Sequence, residues 1–138
     1  MIKILVYGLS GSGKTTFAKK LADKLAFVHL ESDTIRRMFK DWDFSQEGRE
    51  RQSKRMLKLT KMVPEFSGCV VDFICPYEKN RKGYDFTIWM DTVEKSKYPD
   101  TDKIFQKPNE VDYKVNNFQY DDVINNIMGE LVRGVDND

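Results

Sequence analysis

The run Gly8-Leu9-Ser10-Gly11-Ser12-Gly13-Lys14-Thr15-Thr16 constrains this chain more than any other feature. It fits G-x-x-x-x-G-K-[ST], the pattern of a phosphate-binding loop or P-loop, and it stands where such a loop must stand. The apolar residues Ile2 to Tyr7 before it predict a buried strand, and Phe17, Ala18, Leu21, Ala22 and Leu25 after it recur at helical spacing. Glycine tolerates positive φ and close backbone approach, so Gly8, Gly11 and Gly13 let successive N–H groups, including those of Ser10 and Ser12, surround a phosphate. The following helix, entered through Thr15 and Thr16, adds its positive dipole end. Lys14 supplies a cation for the β and γ oxygens, and the Thr15 hydroxyl can coordinate Mg²⁺. A merely flexible glycine loop would need neither the strand before nor the helix after.

Bulk composition sets limits around this motif. A chain of 138 residues is one domain of common size, here read as a single domain over 1–138. With 40% hydrophobic and 33% charged residues it has the makings of a soluble globular core. A net charge of +1 gives no global pull towards nucleic acid or a membrane. Locally, Arg36 to Lys61 holds nine Lys/Arg against four Asp/Glu. That excess suits an anionic partner, or simply a solvated helix face. Cys69 and Cys75 are too few for a disulfide framework and read as free thiols of an intracellular protein. His29 is the only histidine, so no metal-ligand cluster is expected. The first apolar run is too short for a signal peptide or a membrane span. The expectation is a cytoplasmic protein.

Periodicity predicts strands at Ile2–Tyr7, Phe27–Leu30, Cys69–Ile74 (interrupted by Asp72), Asp85–Met90 and Val111–Val115. It predicts helices at Lys14–Ala26, from an N-cap at Ser32 to about Lys40, at Gln46–Met62 after an N-cap at Ser45, and at Tyr120–Val132. A short helix or turn spans Glu78–Gly83. Lys95–Glu110, polar and carrying Pro99 and Pro108, reads as a loop. The apolar stripe of the third helix is Met56, Leu57, Leu59, Met62 and Val63. Alternating strands and helices give an α/β, P-loop NTPase-like three-layer sandwich: a mainly parallel sheet with helices on both faces. Ligands of such sheets sit beyond the carboxyl ends of the strands. That rule gathers the P-loop, Asp33, Asp72–Cys75 and the segment after Met90 along one edge.

Three further clusters fall on that edge. In Asp33-Thr34-Ile35-Arg36, positions i and i+3 share a helix face, so a carboxylate and a guanidinium point together. The carboxylate can take a proton from an acceptor hydroxyl, and the guanidinium can hold an anion in bidentate geometry. The alternative is a local ion pair at a helix start. In Asp41-Trp42-Asp43-Phe44-Ser45, followed by Arg49, Gln52 and Arg55, Phe44 either stacks on a base or packs in the core, and the arginines can reach phosphate or sulfate. In Val70-Val71-Asp72-Phe73-Ile74-Cys75-Pro76-Tyr77, Asp72 either holds a Mg²⁺-bound water or is a hydrogen-bonded strand-end Asp.

Taken together, Gly8–Thr16, Asp33-x-x-Arg36, Asp41-x-x-Phe44-Ser45 with Arg49, and Phe73-Ile-x-Pro-Tyr77 with Arg81 resemble the adenylylsulfate (APS) kinase family, in order and spacing over roughly residues 1–92. The resemblance implies transfer of the γ-phosphate of MgATP to the ribose 3′-hydroxyl of adenylylsulfate, giving PAPS. It implies that Asp33 is the base, that Arg36 and Arg49 hold the phosphosulfate, that Phe44 stacks on the substrate adenine, and that backbone around Ile74 lines the pocket. The chain departs from the family pattern in four places. Gln52 stands where the family usually has Asn, Cys75 where it often has Ser, and Asp72 where it has a neutral residue. The family's lid carries arginine, whereas Thr92–Glu110 is shorter and offers only Lys95, Lys97, Lys103 and Lys107, with Arg81 as an outside candidate for the missing charge.

The expected activity is therefore that of a small kinase using ATP and Mg²⁺, with Lys14 and Asp33 as catalytic residues and adenylylsulfate as first acceptor. Substrate contacts are expected from Arg36, Phe44, Arg49, Gln52, Ile74 and Cys75, and metal contacts from Thr15 and Asp72. Other acceptors use the same chemistry: a polynucleotide 5′-hydroxyl, a nucleoside or a small metabolite. A nucleotide-binding regulator with weak transferase activity is the reading of a different class. An apolar helix face not consumed by the core would make a homodimer seam.

Overall fold

A computed structural model describes residues 2–136. Met1, Asn137 and Asp138, inside the single domain expected above, lie outside the described residues. Strand β1, Lys3–Tyr7, is the middle of the sheet, and Ile4, Leu5, Val6 and Tyr7 are all buried. A strand covered on both faces reads as a continuous apolar run, and this one does. Around it lie β2 (Val28–Glu31), β3 (Cys69–Phe73), β4 (Phe86–Met90) and β5 (Tyr113–Val115), in the order β2-β3-β1-β4-β5 and wholly parallel.

Helix α1, Lys14–Leu25, packs Phe17, Ala18, Leu21 and Ala22 on one face of the sheet, against Ile4, Val6, Val70 and Ile88. Helix α5, Tyr120–Asp136, covers the rest of that face with Val123, Ile124 and Ile127. On the other face, Ile35 of α2 (Ser32–Phe39) and Met56 of α3 (Gln46–Thr60) meet Leu5, Tyr7, Val71 and Phe73. The expected three layers are present. The side chains on each face follow the two-residue alternation of β1 and β3.

Local chemistry sets the boundaries. Ser45 caps α3, its Oγ accepting from the Gly48 N–H at 3.1 Å, and the Asp43 carboxylate accepts from the Ser45 N–H at 2.9 Å. α1 stops at Ala26 and α2 at Lys40, both in left-handed conformation. Ser32 does not cap α2: Glu31 holds the N-cap position, and the Ser32 hydroxyl instead accepts from Gln52 Nε2 at 2.9 Å. α3 ends at Thr60 rather than Met62. That leaves Met62 beyond the helix and 75% exposed, outside the apolar stripe assigned to it.

The largest departure is in Lys95–Glu110, which is not a plain loop. Pro99–Ile104 forms a further helix, α4, with Pro99 in its first turn and Asp100 and Asp102 near its positive end. Proline is pre-set for that position. Ser96 ties itself back to Asp102, through N–H at 2.8 Å and Oγ at 2.6 Å. Among the described residues no helix is long and apolar enough to cross a membrane.

Candidate active site

All five strands run the same way, so β1, β3 and β4 end together, with Tyr7 beside Phe73 and Trp89. The P-loop leaves β1 here. Gly8 has φ +152, and a Cβ added to it would come 2.7 Å from the Met90 carbonyl oxygen, so β1 and β4 touch backbone to backbone. Gly13 has φ +88, and an added Cβ would collide with the Tyr120 hydroxyl. Ser12 is fully buried with its Oγ unpartnered, and its carbonyl accepts from Thr92 Oγ1 at 2.7 Å. Thr16 is exposed on the first turn of α1.

Lys14 Nζ donates to the Leu9 carbonyl at 3.0 Å, which bends the lysine back over its own loop. Burial pushes its pKa below the ordinary lysine value, and the carboxylates of Asp72 and Asp33 oppose that shift. Thr15 Oγ1 donates to Asp72 Oδ1 at 3.0 Å. Asp72 is buried inside β3 and is not an interruption of it. Its second oxygen, Oδ2, lies 2.5 Å from His29 Nε2.

A cleft of about 600 Å³ opens above this floor. It brings together Ser10, Lys14, Thr15, Asp33, Arg36, Phe44, Arg49, Gln52, Asp72, Ile74 and Cys75. Asp33 is exposed on the first turn of α2. Gly8, Gly11, Ser12, Gly13 and Thr16 do not line the cleft with side chains. Of these, Gly8, Gly11 and Gly13 shape the loop below it through their positive φ.

The far wall is a set of arginines held by backbone. Arg36 Nη1 donates to the carbonyls of Asp41 (2.9 Å) and Asp43 (3.2 Å). Arg49 Nε donates to the Phe44 carbonyl and Nη2 to Thr101 Oγ1, both at 2.9 Å. Both guanidinium groups sit by the Phe44 ring, 4.4 Å and 5.5 Å from its centroid. Phe44 is not core: it is 50% exposed and faces the cleft. Arg55 points away from the cleft, to Gln52 Oε1 (2.7 Å) and Asp41 Oδ2 (2.9 Å). Hydrogen bonds from Arg51 and Arg55 hold the Asp41 carboxyl well below the usual carboxylate range. Gln52, buried, donates to Ser32 and accepts from Arg55, so it braces α2 against α3.

Cys75 stands at the end of β3 with φ +45, fully buried, and burial pushes its thiol up to about 12. Arg81 does not line the cleft. It is buried beneath the Tyr7 and Phe105 rings, and it donates to the carbonyls of Cys75 (3.0 Å) and Pro76 (3.2 Å). Of the four candidate lysines only Lys97 lines the cleft. Trp42, Tyr98, Pro99, Asp100 and Thr101 also line it, and the sequence pattern singled out none of them for the site. Proline before two acidic residues was the signal for the roof helix. Among the described residues no group of three or more His, Cys, Asp or Glu is placed to hold a metal ion.

A parallel five-stranded sheet with a P-loop between its central strand and α1, and a carboxylate beyond the next strand, is the fold of the P-loop kinases. The model of the family described as an AAA domain matches residues 4–92, and the chain belongs to that family. No curated protein matches the chain by sequence. Solved structures share its fold. An APS kinase from Mycobacterium tuberculosis, in complex with AMPPNP and APS, superposes with a TM-score of 0.78 at 20% identity, over 94% of this chain and 96% of that one. A gluconokinase from Sinorhizobium meliloti gives 0.70 at 15% identity, over 99% and 94%. A shikimate kinase from Aquifex aeolicus gives 0.69 at 16% identity, over 97% and 98%.

Proposed function

We propose that this chain is a cytoplasmic kinase that moves the γ-phosphoryl group of ATP to a hydroxyl, and that its acceptor is adenylylsulfate, phosphorylated at the ribose 3′-oxygen. The observation that carries this reading is that Lys14, Thr15 and Asp33 share one cleft with Arg36, Arg49 and Phe44. A triphosphate tail belongs at the first group and a planar, anionic acceptor at the second.

The P-loop amides and Lys14 hold the β and γ phosphates. Thr15 and Asp72 offer hard oxygen atoms on the phosphate side, a set that fits Mg²⁺ bound mainly through phosphates and water. When bound, that ion neutralises phosphate charge. Asp33 accepts the proton of the attacking hydroxyl as the new O–P bond forms and ADP departs. Phe44, half exposed, stacks on the acceptor base, and the N–H groups of Arg36 and Arg49 not bound to the protein meet its phosphosulfate. Lys97, exposed at the cleft ahead of α4, adds a further cation to the site.

One observation favours a second acceptor. Both arginines already give hydrogen bonds to the protein, three of them to carbonyls and one to Thr101, so fewer donors remain for two adjacent anionic groups. A smaller hydroxylated metabolite would need fewer. ADP release measured against a panel of acceptors separates the two. With adenylylsulfate as acceptor, MgATP turnover depends on it, and adenylylsulfate added to a MgATP analogue raises Tm beyond the analogue alone. Neither effect with adenylylsulfate, but turnover with a sugar acid or a polyol, would transfer the assignment to the metabolite.

A further inference from the structure

The single histidine of the chain is unused by the function above, yet it sits directly behind the phosphate site. Register places His29 beside Val70 and Glu31 beside Asp72, so His29 and Asp72 project from neighbouring strands on the face covered by α1. Asp72 is thereby gripped from two directions. Its Oδ1 accepts from Thr15 Oγ1 at 3.0 Å and its Oδ2 meets His29 Nε2 at 2.5 Å. Its side chain is 3% exposed and that of His29 is 19% exposed, so water has little access to the His29–Asp72 contact. A carboxylate can only accept, so the ring nitrogen that faces it carries the proton.

The geometry points to His29 as a positioning residue for the metal side of the phosphate site, an inference that rests on the nucleotide reading given above. A buried carboxylate with one oxygen unmet turns to find another donor. With Nε2–H holding Oδ2, the plane of Asp72 is fixed and Oδ1 stays under Thr15. The Thr15 hydroxyl then gives its hydrogen backwards to Asp72 and keeps its lone pairs towards the cleft, where a divalent cation would need them. His29 touches neither nucleotide nor cation. It acts through Asp72 and then through Thr15, as an outer partner orients a metal ligand. A bland alternative is that His29 only satisfies a buried acid. The two differ in what a donor-bearing replacement restores.

The test uses the full chain, a fluorescent ATP analogue and MgCl₂. Titrating Mg²⁺ at fixed analogue gives the Mg²⁺ midpoint, and titrating analogue in EDTA gives the metal-free affinity. His29→Leu keeps the bulk and removes the donor. We expect it to raise the Mg²⁺ midpoint by about 10-fold or more, with metal-free affinity within about 3-fold of the parent. His29→Gln carries an amide N–H as far out as Nε2 and should bring the midpoint back to within about 3-fold of the parent. A folded His29→Leu with an unchanged midpoint would overturn the inference, and so would a folded His29→Gln as impaired as His29→Leu. If His29→Leu does not fold, His29→Asn replaces it, with an amide one bond too short. Equal midpoints for the Gln and Asn variants would then overturn it. A parent chain that binds the analogue with no response to Mg²⁺ removes both this inference and the metal part of the proposed function. A responsive parent with an indifferent His29→Leu removes this inference alone.

Discussion

One stretch of nine residues, Gly8 to Thr16, supplies the floor of the cleft, through Ser10, Lys14 and Thr15. Its far wall takes Arg36, Phe44, Arg49, Gln52, Tyr98 and Thr101 from α2, the loop after it, α3 and the roof. The grip proposed for the floor rests on main-chain amides beside glycines of positive φ. The wall works through side chains whose own hydrogen bonds are spent on shaping it: Arg36 and Arg49 each hold backbone oxygens. Grip on a phosphate thus needs only local sequence, whereas choice of acceptor depends on contacts that the whole fold must bring together. A likeness of fold at about 20% identity can preserve the first and alter the second.

That contrast can be broken from either side. Lys14→Ala should strike hardest: kcat/KM falls on the order of 10³-fold and nucleotide affinity weakens with it, read from ADP release and analogue titration. Asp33→Asn should cost about 10²-fold in kcat while leaving analogue affinity in place. An Asn variant of parental rate would take the base role from Asp33 and leave positioning as the whole of the catalysis.

Thr101→Val probes the wall alone. It removes the 2.9 Å acceptor of a buried guanidinium, and urea unfolding should show a loss of about 1–2 kcal/mol. KM for the acceptor should move and that for ATP should not. The last prediction, on stability and not on turnover, concerns the thiols. Burial raises Cys69 to about 11 and Cys75 to about 12, above the ordinary value. A raised pKa means the folded state retains the proton longer than the unfolded state does. The associated stability is complete below the unfolded value and is lost as pH climbs through the folded one. Tm should therefore sag between about pH 9 and 12, less steeply in Cys75→Ala, and neither native thiol should react with a disulfide reagent at about pH 8.

Legibility in the sequence followed the same divide. β1, α1 and the P-loop were readable because a buried strand, a glycine loop and a helical stripe each leave a local signature. Ser45 as a cap was readable for the same reason, since its partner Gly48 lies three residues on. Ser32 misled because its hydroxyl is claimed by Gln52, twenty residues away. α4 hid behind Pro99, a residue that opens helices as well as ending them. The place of Arg81, beneath Tyr7 and Phe105, and the pairing of His29 with Asp72 depend on strand order, which no single stretch of sequence records. Phe44 was the instructive ambiguity. An aromatic residue between Asp43 and Ser45 leans neither to core nor to surface until two guanidinium groups are seen against it.

The Thr92–Ser12 contact carries a consequence for the timing of turnover. Thr92 Oγ1 fastens the start of the roof to the P-loop, and the Gln106 N–H fastens its end to the Pro76 carbonyl at 2.8 Å. Between them, Thr101 is tied to Arg49 of α3 at 2.9 Å, so the span is fastened at both ends and in the middle. Cutting the middle tether with Thr101→Val should therefore loosen the mouth and change the rates of entry and exit more than the phosphate grip.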